Sequence, residues 1–563
     1  MLRYLLAMLL LTFLTLNATV PYHPDPDWIS SDSNQYSTGC IWSDINQDTY
    51  PDLVIANGND MARQRLVVYY NSPQGLSQSI GWMSDDIDYH GHLDTGDVNG
   101  DGFPDIVVSV YIGETGFNSK GKVKLYLNNQ GTLSSSPDWI SEDRFYTFSC
   151  KLVDINLDAK PDLAVATGES YYNQPDSNRV YLNTGTIFEN LPSWKSNRAD
   201  CSYDVNFADF DHNGYPDLVF VNSLQSNQVY FNYNGILETQ ASWNSSDTLC
   251  NANSLSLGDI NNDSYIDLAV SDNNQMAQSG HFKIYQNNQG QLGDSPVWVS
   301  DYNDYGSGIE LFSYAENGFD HLIAGGWWTP LHFYQNDNGI FSFLSDWVSN
   351  TESVVERIAL SDANLDGIHH QMYEFAGQSG IQFYNLPHKH LNAIDSVYYG
   401  GSKLNLNHYA GFLENGSLSV SFSPADDSLF QIYYQWSDKK DIAVSNWGNY
   451  PNMVFYWQNQ PDSNDDTLQP LADFRFKAYP NPFKISEKKQ INIEINSKKD
   501  SNYKLSIFNV KGQKITHFEE KRIGSGISQV SYTLNTNELA SGIYFLKMES
   551  SNESQLKKIL ILK

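Results

Sequence analysis

Hydrophobic and polar positions alternate in short runs along most of this chain, and no stretch of useful length repeats at the helical period. Runs such as LVIA (53–56), IVVSV (106–110), LAVA (163–166), LVFV (218–221) and LAVS (268–271) are bounded by Gly, Asn and Asp turns, which predicts short strands. The runs belong to a longer repeat. A Trp in a Trp-x-Ser context returns at Trp28, Trp82, Trp139, Trp194, Trp243, Trp298 and Trp347, at intervals of 54, 57, 55, 49, 55 and 49 residues. An aromatic followed closely by Asn closes each unit, as at Tyr70-Asn71, Tyr126/Asn128, Tyr181/Asn183, Tyr230/Asn232, Tyr285/Asn287 and Tyr334/Asn336.

Units of this length with four short strands each are propeller blades. The recurrent Trp and Tyr are then packing between blades. The expected fold class is all-β: a β-propeller of seven Trp-marked repeats over 19–462, then a small β-sandwich at 474–563 after a polar linker at 463–473. A stretch at 390–462 reads as a degenerate eighth blade or a small β insert. Its end, 428–459, mirrors the sixth repeat and lacks a Trp-bearing outer strand, whereas the polar N-terminal stretch PDPDWIS supplies one. A ring closed by that N-terminal strand satisfies both facts and removes a sheet edge. Eight blades is the slightly favoured count.

Five repeats carry the same acidic loop ahead of a strand. Its positions are Asp44, Asn46, Asp48, Tyr50 and Asp52; Asp97, Asn99, Asp101, Phe103 and Asp105; Asp154, Asn156, Asp158, Lys160 and Asp162; Asp209, Asp211, Asn213, Tyr215 and Asp217; and Asp259, Asn261, Asp263, Tyr265 and Asp267. Hard oxygens at alternate positions of a tight loop suit Ca²⁺, with the fourth residue of each set offering a backbone carbonyl. The later repeats decay. Ser313, Ala315 and Asn317 of the sixth loop should hold no metal, while the seventh keeps Asp362, Asn364 and Asp366 but has His370 where the last Asp belongs. About five calcium sites and a weak sixth are expected. A transition-metal site using His369, His388 and His390 competes with the plainer reading of solvated loop histidines.

The first 18 residues, one Arg then an apolar run ending at Ala18, read as a secretory signal peptide. No later segment is long and apolar enough to span a bilayer as a helix. Export permits disulfides, and Cys201 and Cys250 occupy matching positions of adjacent blades; Cys40 and Cys150 read as buried thiols. The net charge is −32, unevenly divided: residues 474–563 hold 16 Lys and Arg against 8 Asp and Glu, a net of +8, which leaves −40 on the rest. Nucleic acid is an improbable partner for so acidic a ring.

Four motifs in the last 90 residues, AYPNPF (478–483), KLSIFNVKGQKI (504–515), ASGIYFLKM (540–548) and KKILILK (557–563), resemble the type A sorting domain of the type IX secretion system. The resemblance implies an immunoglobulin-like sandwich, recognition by the secretion machinery, and an extracellular or outer-membrane-surface location. The acidic loops resemble those of the FG-GAP and VCBS repeat families, whose loops bind calcium. The second loop fits fully; Thr49, Ala159 and Ser264 replace the loop Gly in the first, third and fifth.

Because the acidic loops all join an innermost strand to the next, they share one face of the ring. The opposite face is built from loops carrying Arg63 and Arg65, Tyr111 and Phe117, Tyr171, Tyr172 and Gln174, and Trp327 and Trp328. Of these, Trp327, Trp328, Tyr171, Tyr172 and Tyr111 are the candidate ligand contacts, since aromatics beside polar groups suit sugar rings. The functional expectation is a binding or adhesion module for glycan or protein. A propeller-fold polysaccharide lyase and a passive surface scaffold are the alternatives. No nucleophile or paired-carboxylate motif marks an enzyme, so no catalytic residue is named.

Overall fold

The acidic loops are themselves what reverses the chain. In the first, Asp44 accepts the N–H groups of Asp48 (3.0 Å) and Thr49 (2.9 Å), and Asn46 accepts Asp48 (2.9 Å). Such side-chain bonds fold a turn without regular structure, and they deliver Ser37–Ser43 onto Asp52–Asn57 as an antiparallel pair. The turn needs left-handed backbone, which Gly100 (φ 76°) and Gly102 (φ 90°) supply in the second loop. Thr49 (φ 80°), Ala159 (φ 65°) and Ser264 (φ 73°) adopt it without glycine. The missing glycines therefore leave the loop geometry intact and cost about 1–2 kcal/mol of local strain each.

The structure, a computed structural model, describes residues 20–458 except 33, 249, 277–279 and 314–318. Of the C-terminal part it describes 474–479, 483–484, 490–497, 500–509, 514–518, 520–524, 526–533, 542–550 and 554–562. The expected signal peptide and linker, Ala315 and Asn317 of the sixth loop, and parts of the sorting motifs lie outside these residues. The chain divides into two compact units, 1–460 and 461–563.

The first unit is a ring of blades, each starting with its innermost strand. Blade 1 is Ser37–Ser43, Asp52–Asn57, Val67–Tyr69 and Trp82–Met83; blade 2 is Tyr89–Gly96, Asp105–Gly113, Gly116–Tyr126 and Trp139–Ile140. Blade 3 is Ser149–Val153, Asp162–Ala166, Asp176–Tyr181 and Trp194–Asp200; blade 4 is Ser202–Ala208, Asp217–Asn222, Gln228–Tyr230 and Trp243–Asn244. Blade 5 is Ala252–Gly258, Asp267–Asp272, Phe282–Tyr285 and Trp298–Val299; blade 6 is Gly306–Phe312, His321–Thr329, His332–Tyr334 and Trp347–Val348. Blade 7 is assembled from three places. Its innermost strand is Ser353–Ser361, its next two are Asp441–Asn446 and Met453–Phe455, and its outer strand is the N-terminal Trp28–Ile29.

The N-terminal strand thus closes the ring as the sequence predicts, but the count is seven rather than eight. Residues 441–455, expected in an eighth blade, are the missing half of the seventh, displaced along the chain by an insertion. The insertion contains Ile368–Ala376, Phe383–Asn385, Ala393–Tyr399, Ser402–Lys403, Tyr409–Phe412, Ser417–Val420 and Leu429–Ser437, in a four-stranded and a three-stranded sheet. It has its own core, including Leu391, Val397, Leu418, Phe430 and Ile432.

Both sequence markers are inter-blade contacts. Six of the seven Trp sit edge-on against the third-strand Tyr of the next blade, as in Trp82–Tyr126, Trp139–Tyr181 and Trp298–Tyr334, with centroids 6.2, 5.6 and 5.1 Å apart, and Trp347 meets Phe455 in the same way. Each marker Asn reaches back to the preceding blade's acidic loop. Asn128 donates to the Ile45 carbonyl (2.8 Å), Asn183 to Val98 (2.8 Å), Asn232 to Ile155 (2.8 Å) and Asn71 to Ala363 (2.7 Å). The last of these crosses the closure between blades 7 and 1. All four cysteines are buried free thiols, so Cys201 and Cys250 are not bridged.

The second unit is a sandwich. Phe474–Tyr479, Gln490–Ser497 and Gly526–Thr533 form one sheet. Ser501–Asn509, Gly542–Glu549 and Ser554–Leu562 lead the other, with Phe483–Lys484 added in parallel at its edge. Phe476, Ile493 and Ile495 from the first sheet and Leu505, Ile507 and Leu546 from the second share one core.

Candidate functional site: acidic loops, an aromatic face and a roofed channel

The five complete loops repeat one arrangement. The first Asp caps two backbone N–H groups, the middle pair hold the loop, and the last Asp stands at the start of the second strand. That last carboxylate has two fixed duties. Its Oδ2 accepts from the residue after the first Asp, and its Oδ1 accepts from the marker Asn. For Asp105 these are Val98 N (2.9 Å) and Asn128 N (2.7 Å), and for Asp217 Phe210 N (2.9 Å) and Asn232 N (2.8 Å). Tyr50, Phe103, Lys160, Tyr215 and Tyr265 each hang by the N–H from the third ligand, at 2.9–3.1 Å.

The residues of the fourth loop fit a calcium ion. Asp209, Asp211 and Asp217 place one carboxylate oxygen each within 4.8 Å of one another, a separation that one ion with bonds of about 2.3–2.6 Å spans. A second group of that size, Asp247, Cys250 and Asp272, has a different occupant. The Lys283 ammonium lies 2.7 Å from Asp247 and also contacts Asp272.

Burial, reinforced by neighbouring carboxylates, pushes the last Asp upward in every complete loop. Asp52 and Asp105 are raised to about 7 and Asp267 to about 8, while Asp162 and Asp217 are raised well above the ordinary value. The first Asp follows, with Asp154 and Asp209 raised to about 7.

The seventh loop corrects the sequence reading. Asp362 accepts Asp366 N (3.1 Å) and Gly367 N (2.8 Å), as in the complete loops. His370 does not take the last position. Asp441 does: its Oδ2 accepts Ala363 N (2.8 Å) and its Oδ1 accepts Trp457 N (2.8 Å), the same two duties that Asp105 and Asp217 perform. The insertion is spliced between the third and fourth ligand positions, and the sequence motif is broken while its geometry survives. Lys439 brings an ammonium 3.3 Å from Asp366. In the sixth blade His321 takes the position instead, its Nδ1 accepting Asn336 N (3.0 Å).

The histidines expected at a transition metal have separate tasks. His388 stacks on Trp436 (3.8 Å) and bonds the Tyr434 hydroxyl (2.7 Å), His369 pairs with Asp438 (3.1 Å), and His390 is buried against the Leu311 carbonyl (3.3 Å). Among the described residues, none belongs to a cluster of ligand side chains.

On the opposite face, the candidate aromatics divide. Tyr172 (65 % exposed), Tyr171 (40 %) and Trp328 (51 %) are open to solvent. Phe117 packs its ring 5.8 Å from Tyr171 and 5.2 Å from Tyr172. Tyr111 and Trp327, expected beside them, are buried. Tyr111 is enclosed by Phe117, Phe148 and Tyr203, and Trp327 stacks on Tyr305 (6.0 Å) and meets Trp447 edge-on (5.7 Å). Neighbours on a strand point to opposite sides, and the left-handed turn at Trp328 (φ 57°) sends that ring outward. Arg63 is spent on the Ile87 carbonyl (3.0 Å) and Arg65 on that of Ser84.

The channel holds what sequence reading missed. Arg357, on the innermost strand of blade 7, is 2.6 Å from Asp204 of blade 4 and 3.8 Å from Glu310 of blade 6. Asp204 also accepts Ser149 (2.6 Å) and Leu255 N (3.1 Å) and faces His92 (3.4 Å). Burial opposes ionisation of Asp204, but Arg357 and these donors hold its carboxyl well below the usual range. The insertion reaches the same network: Glu414 contacts Lys151 and lies 3.9 Å from Arg357. The available signal was polar residues inside β runs, such as Glu356-Arg357 in SVVERIALS.

The insertion roofs the channel on the acidic-loop face. Phe412 meets Phe207 of blade 4 (5.0 Å), Asn415 donates to the Phe207 carbonyl (2.7 Å), Phe383 N bonds Gly214 of the fourth loop (3.1 Å), and Ser419 donates to Asp154 of the third (2.5 Å).

Family comparisons match both units. A model described as "Secretion system C-terminal sorting domain" covers residues 477–562. "FG-GAP-like repeat" covers 44–108, 154–220 and 209–270, and "FG-GAP repeat" covers 92–126. The chain carries FG-GAP repeats and a C-terminal type IX sorting domain. The sorting domain marks export through that secretion system to the cell surface or extracellular space. A search of the curated proteins finds no match. Among solved structures, the FG-GAP ring is similar to BBS1N in complex with ARL6DN, soaked with mercury or with lead. Each pair has 10 % identity and a TM-score of 0.41, covering 78 % of this chain and 96 % or 99 % of the other. Saccharomyces cerevisiae Sqt1 matches at 9 % identity and a TM-score of 0.40, over 78 % of this chain and all of its own. Among the described residues no helix is long and apolar enough to cross a membrane.

Proposed function

We propose that this protein is an exported, calcium-stabilised binding propeller, whose ligand meets the face opposite the metal loops. The observation that carries the metal half is the bonding pattern repeated in five loops and rebuilt in the seventh with Asp441. Carboxylates raised by burial and mutual repulsion are groups that a divalent cation would satisfy. The seventh site would be the weakest, because Lys439 already supplies part of the countercharge at Asp366.

Metal analysis of protein dialysed against millimolar Ca²⁺ is expected to give six ions per chain. Asp441→Asn should lose one of them and leave the other five, whereas His370→Ala should lose none. A count of five that Asp441→Asn leaves unchanged removes Asp441 from the ligand set.

The binding half rests on exposed rings of that face, Tyr171 and Tyr172 packed on Phe117 and, apart from them, Trp328 beside Tyr305 and Trp447, since amphipathic rings on a rigid scaffold suit sugars or protein side chains. Retention of the full chain on a panel of immobilised polysaccharides tests it. Tyr172→Ala and Trp328→Ala should each weaken retention about tenfold without changing calcium content. Ultraviolet-absorbing unsaturated sugar products would replace binding by lyase activity. Absence of both signals would move the ligand class to protein.

A further inference from the structure

We infer that two copies of this chain pair through the insertion, by antiparallel addition of strand Ile368–Ala376 to the same strand of a second copy. This strand ends the insertion's four-stranded sheet, with Leu429–Ser437 on its one paired side. Nine residues pair there without a bulge, from Ile368↔Ser437 to Ala376↔Leu429. Among the described residues, no backbone hydrogen bond joins the other side to another element. The row of amide and carbonyl groups along such an edge is a template for a further strand.

Comparable edges of the same unit are blunted. The opposite end of this sheet is Ser402–Lys403, two residues with a lysine. The outer strands of six blades are also two residues long, and the longer one, Trp194–Asp200, carries Lys195 and Arg198. Short length, Lys and Pro are the usual guards against strand addition. Ile368–Ala376 has none of them, and six of its nine residues are exposed, among them His370, Met372 and Glu374.

Self-complementarity selects the occupant. A two-fold axis through the joined sheet sets opposite each other residues that project to the same face. Overlap of all nine residues then centres on Met372, with Ile368 opposite Ala376 and His370 opposite Glu374 on both sides of the axis. An imidazole N–H donates to a carboxylate, and no like charges are opposed. Sliding the strands by two residues loses both that match and part of the overlap. Glu374 is steadied on this face by Gln431 (2.9 Å). Met372 (43 % exposed) stands beside Tyr433 (40 %) in its own sheet, so pairing joins two Met–Tyr patches into one apolar row across the axis. An interface this narrow is small, which places the association in the weak class.

The test is sedimentation equilibrium of the full chain with millimolar Ca²⁺, from about 1 to 100 μM. The mass should climb from one copy toward two. Because Met372 faces itself across the axis, Met372→Lys and Met372→Glu each oppose like charges and should each weaken association at least about tenfold. An equimolar mixture of the two variants should recover it, as a mixed pair with opposite charges at the axis. Both substitutions fall on an exposed position, and an unchanged melting temperature shows that each variant is folded. Tyr172→Ala and Trp328→Ala should leave association as it is, which separates this edge from the aromatic face. A parent chain of one copy at every concentration overturns the inference and leaves the edge to a strand of another protein. Association that survives both Met372 variants, or that their mixture fails to recover, overturns it as well, and so does association lost with Trp328→Ala.

Discussion

Excess chelator at pH 8 is expected to lower the melting temperature of the ring by about 5–15 °C, and by much less at pH 5. The acidic loops set both the size and the pH dependence. With dissociation constants near 10⁻⁴–10⁻³ M, millimolar calcium stabilises each site by about 0.4–1.4 kcal/mol, which sums to several kcal/mol over five or six sites. The metal-free loops hold Asp52 and Asp105 at about 7 and Asp267 at about 8, above the ordinary 3.8 of the unfolded chain. A carboxyl raised in the folded state is favourable while it remains protonated, and that advantage is lost as pH climbs through its folded value. Stability of the metal-free protein should therefore fall between pH 4 and 8. Calcium binds the ionised form, so its contribution should grow over the same interval. Differential scanning fluorimetry with and without chelator, at several pH values, measures both trends. A melt at pH 8 that ignores the chelator refutes calcium as the stabilising ion.

Replacing Arg357 by Met should destabilise the ring by about 3–5 kcal/mol. Arg357 contacts carboxylates from three other places in the ring and its insertion, Asp204, Glu310 and Glu414. Asp204, 2 % exposed in its side chain, would lose the charge that keeps it ionised. Urea unfolding followed by intrinsic fluorescence reads the change. The double variant Arg357→Met with Asp204→Asn should recover a substantial part of the loss, because it removes the stranded charge as well. If the single variant unfolds like the parent protein, the channel network carries little of the ring's stability.

The repeat made most of the ring legible. Trp82, Tyr126 and Asn128 recur because adjacent blades need the same ring-on-ring contact and the same side-chain bond to the preceding loop, so a local pattern reports a tertiary contact. Ring closure was legible for a related reason, since Trp28 had no strand partners nearby in sequence. The blade count was not. A spliced blade leaves its second half, Asp441–Phe455, looking like an independent unit, and periodicity alone does not say which inner strand it pairs with. The fourth ligand position of the seventh loop was hidden by the same insertion. Reading along the chain reaches His370, while hydrogen bonding to Ala363 and Trp457 selects Asp441. Trp327 and Trp328 show the limit for surface residues: one sequence context holds a buried and an exposed ring, and a local turn decides between them.

Closure of blade 7 by Trp28–Ile29 ties together segments at opposite ends of the ring, with Ser30 and Asn452 in contact 422 residues apart. Contacts of such separation form late, since the intervening chain must be ordered first. This sets an order of events: the first strand of the ring to be made is among the last to find its place. It also makes the segment leading into Trp28 a poor place for truncation. Loss of the chain through Ile29 would leave the last blade without its outer strand and turn a sealed ring into one with a free edge.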